Sequence, residues 1–452
     1  MREGSLDAPT RHPIAWQDPD FTDPAKIEAE LERVFEICHG CRRCFNLCDS
    51  FPRLFDLIDA SPSGEVDGVA KADYGKVVEA CTLCDLCFMT KCPYVPPHQF
   101  NIDFPHLMLR ARAGGMGRGN DNVLTRQMVE TDRNGKLAGM VAPLANWGTS
   151  TGNHLTRPVM EKVVGVDRRA ELPKFHGKTF MMRAKESAPE LNKTAPAFGR
   201  KAALYATCFI NYNNPRIGEA LRNVLAFNGV ETQAAYPGCC GMPQLEQGDL
   251  ARVAGNAKKV SLALKPLIEQ GYDIVALVPS CALMLKFEWP LLLPDDEDVK
   301  RLSNATFDAS EYLVDIAKKE GLAPGLKPLP GGVTVHLSCH ARAQNMGPKA
   351  AEMLRLLPQT EIAVIERCSG HGGSWGIKKE NFDIAIKQGK PVATQAAKAN
   401  KGHLASECPL AALHIRQGME MLGEEGHAPA QTFHPIELVA LAYGLLPGTE
   451  NR

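Results

Sequence analysis

CHGCRRCFNLC, residues 38–48, sets Cys38, Cys41 and Cys44 three residues apart and adds Cys48 after three more. A short turning loop with that spacing aims three thiolates at one centre. CTLCDLCFMTKCP, residues 81–93, repeats it at Cys81, Cys84 and Cys87, then sets Cys92 one residue further on, before Pro93. The chain holds 15 cysteines and opens without the apolar stretch of an export signal, so metal ligation is expected ahead of a disulfide framework.

Zinc knuckles favour two CxxC pairs split by a longer loop, not three cysteines in a row. Two runs of this kind are the two-cluster ferredoxin signature, in which the fourth cysteine of each run ligates the other cluster. That rule assigns Cys38, Cys41, Cys44 and Cys92 to a first [4Fe–4S] cluster, and Cys81, Cys84, Cys87 and Cys48 to a second. Asp49 stands where the bacterial pattern has proline, which alters local geometry without removing a ligand. Just upstream, Ile27, Leu31, Val34 and Phe35 form a helical stripe that predicts a packing helix. His39, inside the first run, is left unassigned.

The 452 residues exceed one ordinary domain. With 44% hydrophobic and 23% charged residues the chain reads as globular, and its formal charge of -1 offers no field for nucleic acid. No run nears the roughly 18 apolar residues of a membrane span. The expected location is therefore cytoplasmic, with any membrane contact peripheral. Residues 1–25 read as a tail, 26–110 as the helical two-cluster segment and 111–200 as a connecting region of loops and short helices. There GGMGRGN, residues 114–120, misses the GxGxxG spacing and reads as a turn. No flavin or nicotinamide fingerprint is found.

From Lys201 the pattern becomes strand, helix, strand, helix, strand, which predicts a small α/β unit with a mostly parallel sheet over 201–325 and a second over 330–452. Cys208, Cys239 and Cys281 recur as Cys339, Cys368 and Cys408, at separations of 131, 129 and 127 residues. Such a steady offset marks an internal duplication. Each cysteine is expected at a strand end, where the loops of an open parallel sheet converge on a crevice. In the first copy Cys208, Cys239, Cys240 and Cys281 suffice for a third cluster. In the second, Ser369 replaces the second cysteine of the pair, leaving Cys339, Cys368 and Cys408, with His340 and His371 nearby, as a zinc or iron site or as a degenerate remnant. His106, His154, His176, His414 and His434 show no metal spacing. HPIELVALAYGLLPG, residues 434–448, carries an apolar stripe read as a helix packed on its own domain, with a partner or membrane surface as the alternative.

The eight N-terminal cysteines, SFPRLFDLID, CPYVPPHQFNIDFPHLM, the CCG at Cys239, PSCALMLK and CSGHGG running into WGIKKENF together resemble the iron–sulfur subunits related to heterodisulfide reductase. The resemblance covers most of the chain. It implies a flavin-dependent dehydrogenase partner, of 2-hydroxy acid or glycerol-3-phosphate type, and electrons passing through the clusters towards quinone or a membrane anchor. In heterodisulfide reductase itself the cysteine-rich motif ends in CxxC and performs disulfide chemistry. Val278 and Ala405 stand at the first position of that CxxC here, so the expectation is an electron relay. The alternatives are a thiol–disulfide reductase acting at the cysteine-rich domains and an electron donor to a rubrerythrin-like protein.

Overall fold

The structure is a computed structural model describing residues 9–117, 123–421, 423 and 428–446. The end of the glycine-rich 114–120 stretch, the first eight residues of the tail and residues 447–448 lie outside the described residues. Two compact units are resolved: Met1–Val129 with Gly241–Gly255 and Glu288–Asp296, and Glu130–Cys240 with Asn256–Phe287 and Glu297–Arg452.

The first unit is helical. Its leading helix, Pro24–Cys41, starts where the Asp23 carboxylate accepts from the Lys26 amide and where proline occupies the first turn. The predicted stripe of Ile27, Leu31, Val34 and Phe35 is its buried face. The helix stops at Arg42, held in the left-handed region at φ 48°, and its amide closes onto the Cys38 carbonyl. That reversal turns the chain into the cysteine loop. Phe51, Leu54, Phe55 and Ile58 of the helix Ser50–Asp59 are also buried, and the Phe51 ring lies 4.6 Å from Phe104.

Two arginines, one buried and one partly buried, tie distant segments into this unit. The fully buried Arg112 guanidinium donates to the carbonyls of Val78 at 2.7 Å, of Glu246 at 2.9 Å and of Cys81. Arg11 pairs with Asp85 at 2.8 Å, Asp103 at 2.9 Å and Glu288 at 3.1 Å, while stacking over Phe88 at 4.4 Å. His106 joins the same cluster, 3.1 Å from Glu288. A lone buried charge would be strongly destabilising, and here each has a partner.

The second unit is α/β and holds two four-stranded sheets of one topology. Strands β1 (Lys201–Tyr205), β2 (Glu231–Ala235), β3 (Asp273–Ala276) and β4 (Thr306–Asp308) lie in the order β2-β1-β3-β4. Strands β5 (Val333–His336), β6 (Ile362–Ile365), β7 (His403–Ser406) and β8 (Thr432–Phe433) lie in the order β6-β5-β7-β8. All the pairings are parallel. Helices cover both faces, as parallel sheets require. Val333, Val335, Leu354 and Leu438 form one apolar cluster of the second copy, and Val392, Leu404, Ile415 and Met419 another.

The repeat extends to helix caps. Asp308 and Glu311 make a reciprocal capping box on the helix Ala309–Lys319, and His434 and Glu437 make the same box on Pro435–Ala442. The latter helix buries Ile436, Leu438, Val439 and Ala440, and Tyr443 just beyond it packs 4.7 Å from Phe227. This stripe of the sequence is therefore a packed face and not a docking surface.

Candidate metal centres

The eight N-terminal cysteines fall into two groups. A recess of about 310 Å³ is lined by Cys38, Cys41, Cys44 and Cys92, with Phe51, Phe55 and Ile102 as apolar walls. A second, of about 260 Å³, shares Cys38, Cys44 and Cys92 and reaches Cys87 and Phe88. Cys48 lies beside Cys84 and Cys81, whose charges oppose its ionisation, and Cys87 feels its charge in turn. Each fourth cysteine is thus near cysteines of the other run. The bend before Cys87 uses Leu83 and Asp85 at φ 49° and 62°, an unusual conformation for residues with side chains. Arg11 clasps the Asp85 carboxylate in that bend.

In the first cysteine-rich copy the cysteines follow strand ends, as the fold demands. Thr207, at φ 44°, caps the helix that Cys208 opens after β1. Cys239 and Cys240 follow β2, with Gly241 at φ +85° making the turn that a side chain would resist. Cys281 lies in the short helix after β3. Their sulfurs approach in pairs: Cys208 to Cys239 at 3.8 Å, and Cys240 to Cys281 at 3.2 Å. Asp132 accepts from the Cys239 amide at 3.1 Å and from the Tyr236 hydroxyl, and Thr131 Oγ1 lies 3.5 Å from the Cys239 sulfur. Nothing in the spacing of the sequence pointed to Asp132 or Thr131, about a hundred residues upstream.

The second copy brings less together. The Cys368 sulfur accepts from the Gly370 amide at 3.4 Å, and the His371 and His414 rings lie 5.9 Å apart. Gly370 is required where it stands, because a Cβ there would lie 2.1 Å from the Ala385 carbonyl. Cys408 feels the charge of Cys281, and the Gln344 amide donates to the Pro279 carbonyl at 3.3 Å. The two crevices are therefore neighbours.

Among the described residues no three His, Cys, Asp or Glu side chains are close enough to hold one ion between them. An iron–sulfur cluster asks for something different, since each thiolate takes its own iron and the ligands stand apart. The donor sets around Cys38 and Cys208 fit that demand, since each gathers four thiols, the first among apolar walls and the second beside Thr131 and Asp132.

The electrostatics agree. Burial, reinforced by neighbouring thiols, pushes Cys38, Cys48 and Cys87 well above the usual thiol range and Cys44 to about 12. For Cys208 and Cys240 the hydrogen bond with Cys239 is the leading cause and burial adds to it. Reactive free thiols sit in electropositive places that lower their pKa. These sites do the reverse, so cationic iron is what would hold them as thiolates.

Residues 202–286 and 333–416 each match the cysteine-rich domain family CCG. The chain is 28% identical to an anaerobic glycerol-3-phosphate dehydrogenase subunit from Escherichia coli, over 69% of its own length and 75% of the relative's. It is 28% identical to a fumarate reductase (CoM/CoB) subunit from Methanothermobacter marburgensis, over 54% of its length and 47% of that protein's. Lactate utilization protein A of Bacillus pumilus is 29% identical, over 39% of this chain and 75% of the relative. With its two parallel sheets and its cysteines at their strand ends, the chain carries the CCG cysteine-rich domain twice and is a relative of these dehydrogenase and reductase subunits.

Proposed function

We propose that this chain is the iron–sulfur electron-transfer subunit of an oxidoreductase, taking electrons from a flavin-dependent dehydrogenase partner and passing them towards quinone. The observation that carries this reading is the exchange of fourth cysteines, with Cys92 beside Cys38, Cys41 and Cys44, and Cys48 beside Cys81 and Cys84. These two sets would hold two [4Fe–4S] clusters, and Cys208, Cys239, Cys240 and Cys281 a third. When bound, such clusters take up and release single electrons.

The chain's own residues do the rest. Phe51, Phe55 and Phe88 give the N-terminal thiols apolar walls, and backbone hydrogen bonds to Cys48 and Cys92 favour their thiolate forms. Amide donors and solvent exclusion are the levers by which a protein sets a cluster's potential. The names of the relatives support a multi-subunit dehydrogenase or reductase as the setting.

Anaerobically purified protein should show reducible clusters by paramagnetic resonance, and co-purified partner should couple substrate oxidation to dye or quinone reduction. A chain without reducible clusters would end this reading. The close Cys240 and Cys281 sulfurs favour a second one, disulfide exchange, which requires turnover by this chain alone and its loss in Cys240→Ala. The raised thiol pKa values weigh against it.

A further inference from the structure

Residues 137–163 present an apolar surface that the described residues leave uncovered. In the helix Thr131–Met140 and the turn after it, Leu137, Met140 and Val141 are exposed, Met140 to 68%. The helix Ala142–Thr149 adds Leu144 and Trp147. Leu155, 76% exposed, precedes the helix Thr156–Val164, where Val159 and Val163 continue its stripe at four-residue steps. Soluble surfaces seldom expose so many large apolar side chains together.

The surrounding charge is mostly basic, the exposed acids Glu380 and Asp383 lying at the Gly165–Arg169 end, where Asp383 pairs with Arg169. From Leu137 to Met160 the ionisable side chains are His154 and Arg157. Arg157 is 1% exposed and its guanidinium donates inward to the carbonyls of Asp167 at 2.6 Å and Ala170 at 2.7 Å. Around this uncharged patch Arg133, Lys136, Lys162 and Lys174 are exposed, whereas Asp132, Glu161, Asp167 and Glu171 are wholly or partly buried. Arg416 holds Glu171 at 2.6 Å and Arg168 holds Glu161 at 2.7 Å. A protein partner's rim usually mixes signs, but an uncharged apolar face with an aromatic side chain and a basic border is what an anionic bilayer surface attracts. No helix among the described residues is long and apolar enough to cross a membrane, so contact would be in the plane of the headgroups.

We propose that residues 137–163 are a monotopic membrane-binding face that inserts Leu144, Trp147, Leu155 and Val159 into an anionic lipid surface, with the flanking lysines on the headgroups. The proposal deepens the reading of electron delivery towards quinone and rests on it for its purpose. Thr131 and Asp132, at the start of the first of these helices, touch Cys239. The lipid surface would therefore adjoin the last thiol set of the relay.

Flotation of the full chain with phosphatidylglycerol–phosphatidylethanolamine vesicles tests it, with phosphatidylcholine vesicles as the uncharged comparison. Wild type should float with the anionic vesicles, and lipids brominated near the glycerol should quench the emission that Trp147→Phe removes. Leu144→Glu with Val159→Glu should lower partitioning at least tenfold while leaving the thermal midpoint and resonance spectrum unchanged, because both side chains are exposed. Lys136→Glu with Lys162→Glu should remove the preference for anionic lipid. The proposal is overturned if wild type floats with neither vesicle, if the glutamate variant floats as wild type does, or if the glutamates abolish self-association instead. Vesicle binding needs no redox step, so its failure is separable from failure of the electron-transfer reading.

Discussion

The two cysteine-rich copies share a scaffold and differ in what it holds. Tyr205 at the end of β1 donates to the Gly238 carbonyl at 2.6 Å, and His336, its counterpart 131 residues on, reaches the Arg367 carbonyl at 2.9 Å. Asp308 and His434 cap equivalent helices. A hydrogen bond or a cap accepts any side chain of suitable reach, so these positions changed residue and kept their role. The thiols proposed as ligands did change: where the first copy pairs Cys240 with Cys281 at 3.2 Å, the second has Ser369. The sheet topology is therefore kept whether or not the fourth thiol is.

The largest expected effect contrasts one thiol from each copy. Cys239→Ala should remove roughly a third of the iron and the resonance of one of three clusters, while Cys368→Ala leaves both as they were; equal losses measured by iron and sulfide analysis would erase the contrast. Core truncation should instead affect the copies alike. Leu204→Ala in β1 and Val335→Ala in β5, both fully buried, should lower denaturant stability by about 2–5 and about 2 kcal/mol respectively. A much smaller loss in the second copy would mean that it packs loosely.

A further difference between the copies depends on pH. Burial lowers His336 to about 4, whereas an unfolded histidine titrates near about 6.5. Above that pH both states are neutral. Between the two values only the unfolded chain takes the proton, so stability is present above about 6.5 and falls as pH drops towards 4, by up to about 3 kcal/mol. Asp308, pushed up to about 6 by burial, works in the opposite direction: its contribution is present below its unfolded value and is lost as pH rises through 6. His336→Tyr, the first copy's solution, should therefore flatten the acid limb of the pH profile. Denaturant midpoints at pH 7.5 and 4.5 report the change.

Much of this was legible in the sequence because thiols and apolar side chains recur at fixed intervals. Ile27, Leu31, Val34 and Phe35 form the helix face their spacing implied, and the offset between Cys208 and Cys339 marked a repeated sheet. Other features carried no local signal. Asp132 meets Cys239, and Arg11 meets Glu288, across separations that only the tertiary fold closes. The apolar stripes of 137–163 were invisible for another reason: periodicity says which residues share a face, not whether protein, water or lipid lies against it. His106 looked ordinary because Glu288, unlike the neighbouring Asp103, reaches it from a distant segment.

The clasp of Arg11 and His106 on Glu288 bears on how the protein is made. The chain leaves the ribosome from its N-terminus at about 5–20 residues per second, so the first cysteines emerge long before the residue that completes their surroundings. During that interval Arg112 and Arg11, which hold the Cys81 carbonyl and the Asp85 bend, lack Glu246 and Glu288. If the thiols hold clusters as proposed, iron delivery would be completed only once those later segments have emerged.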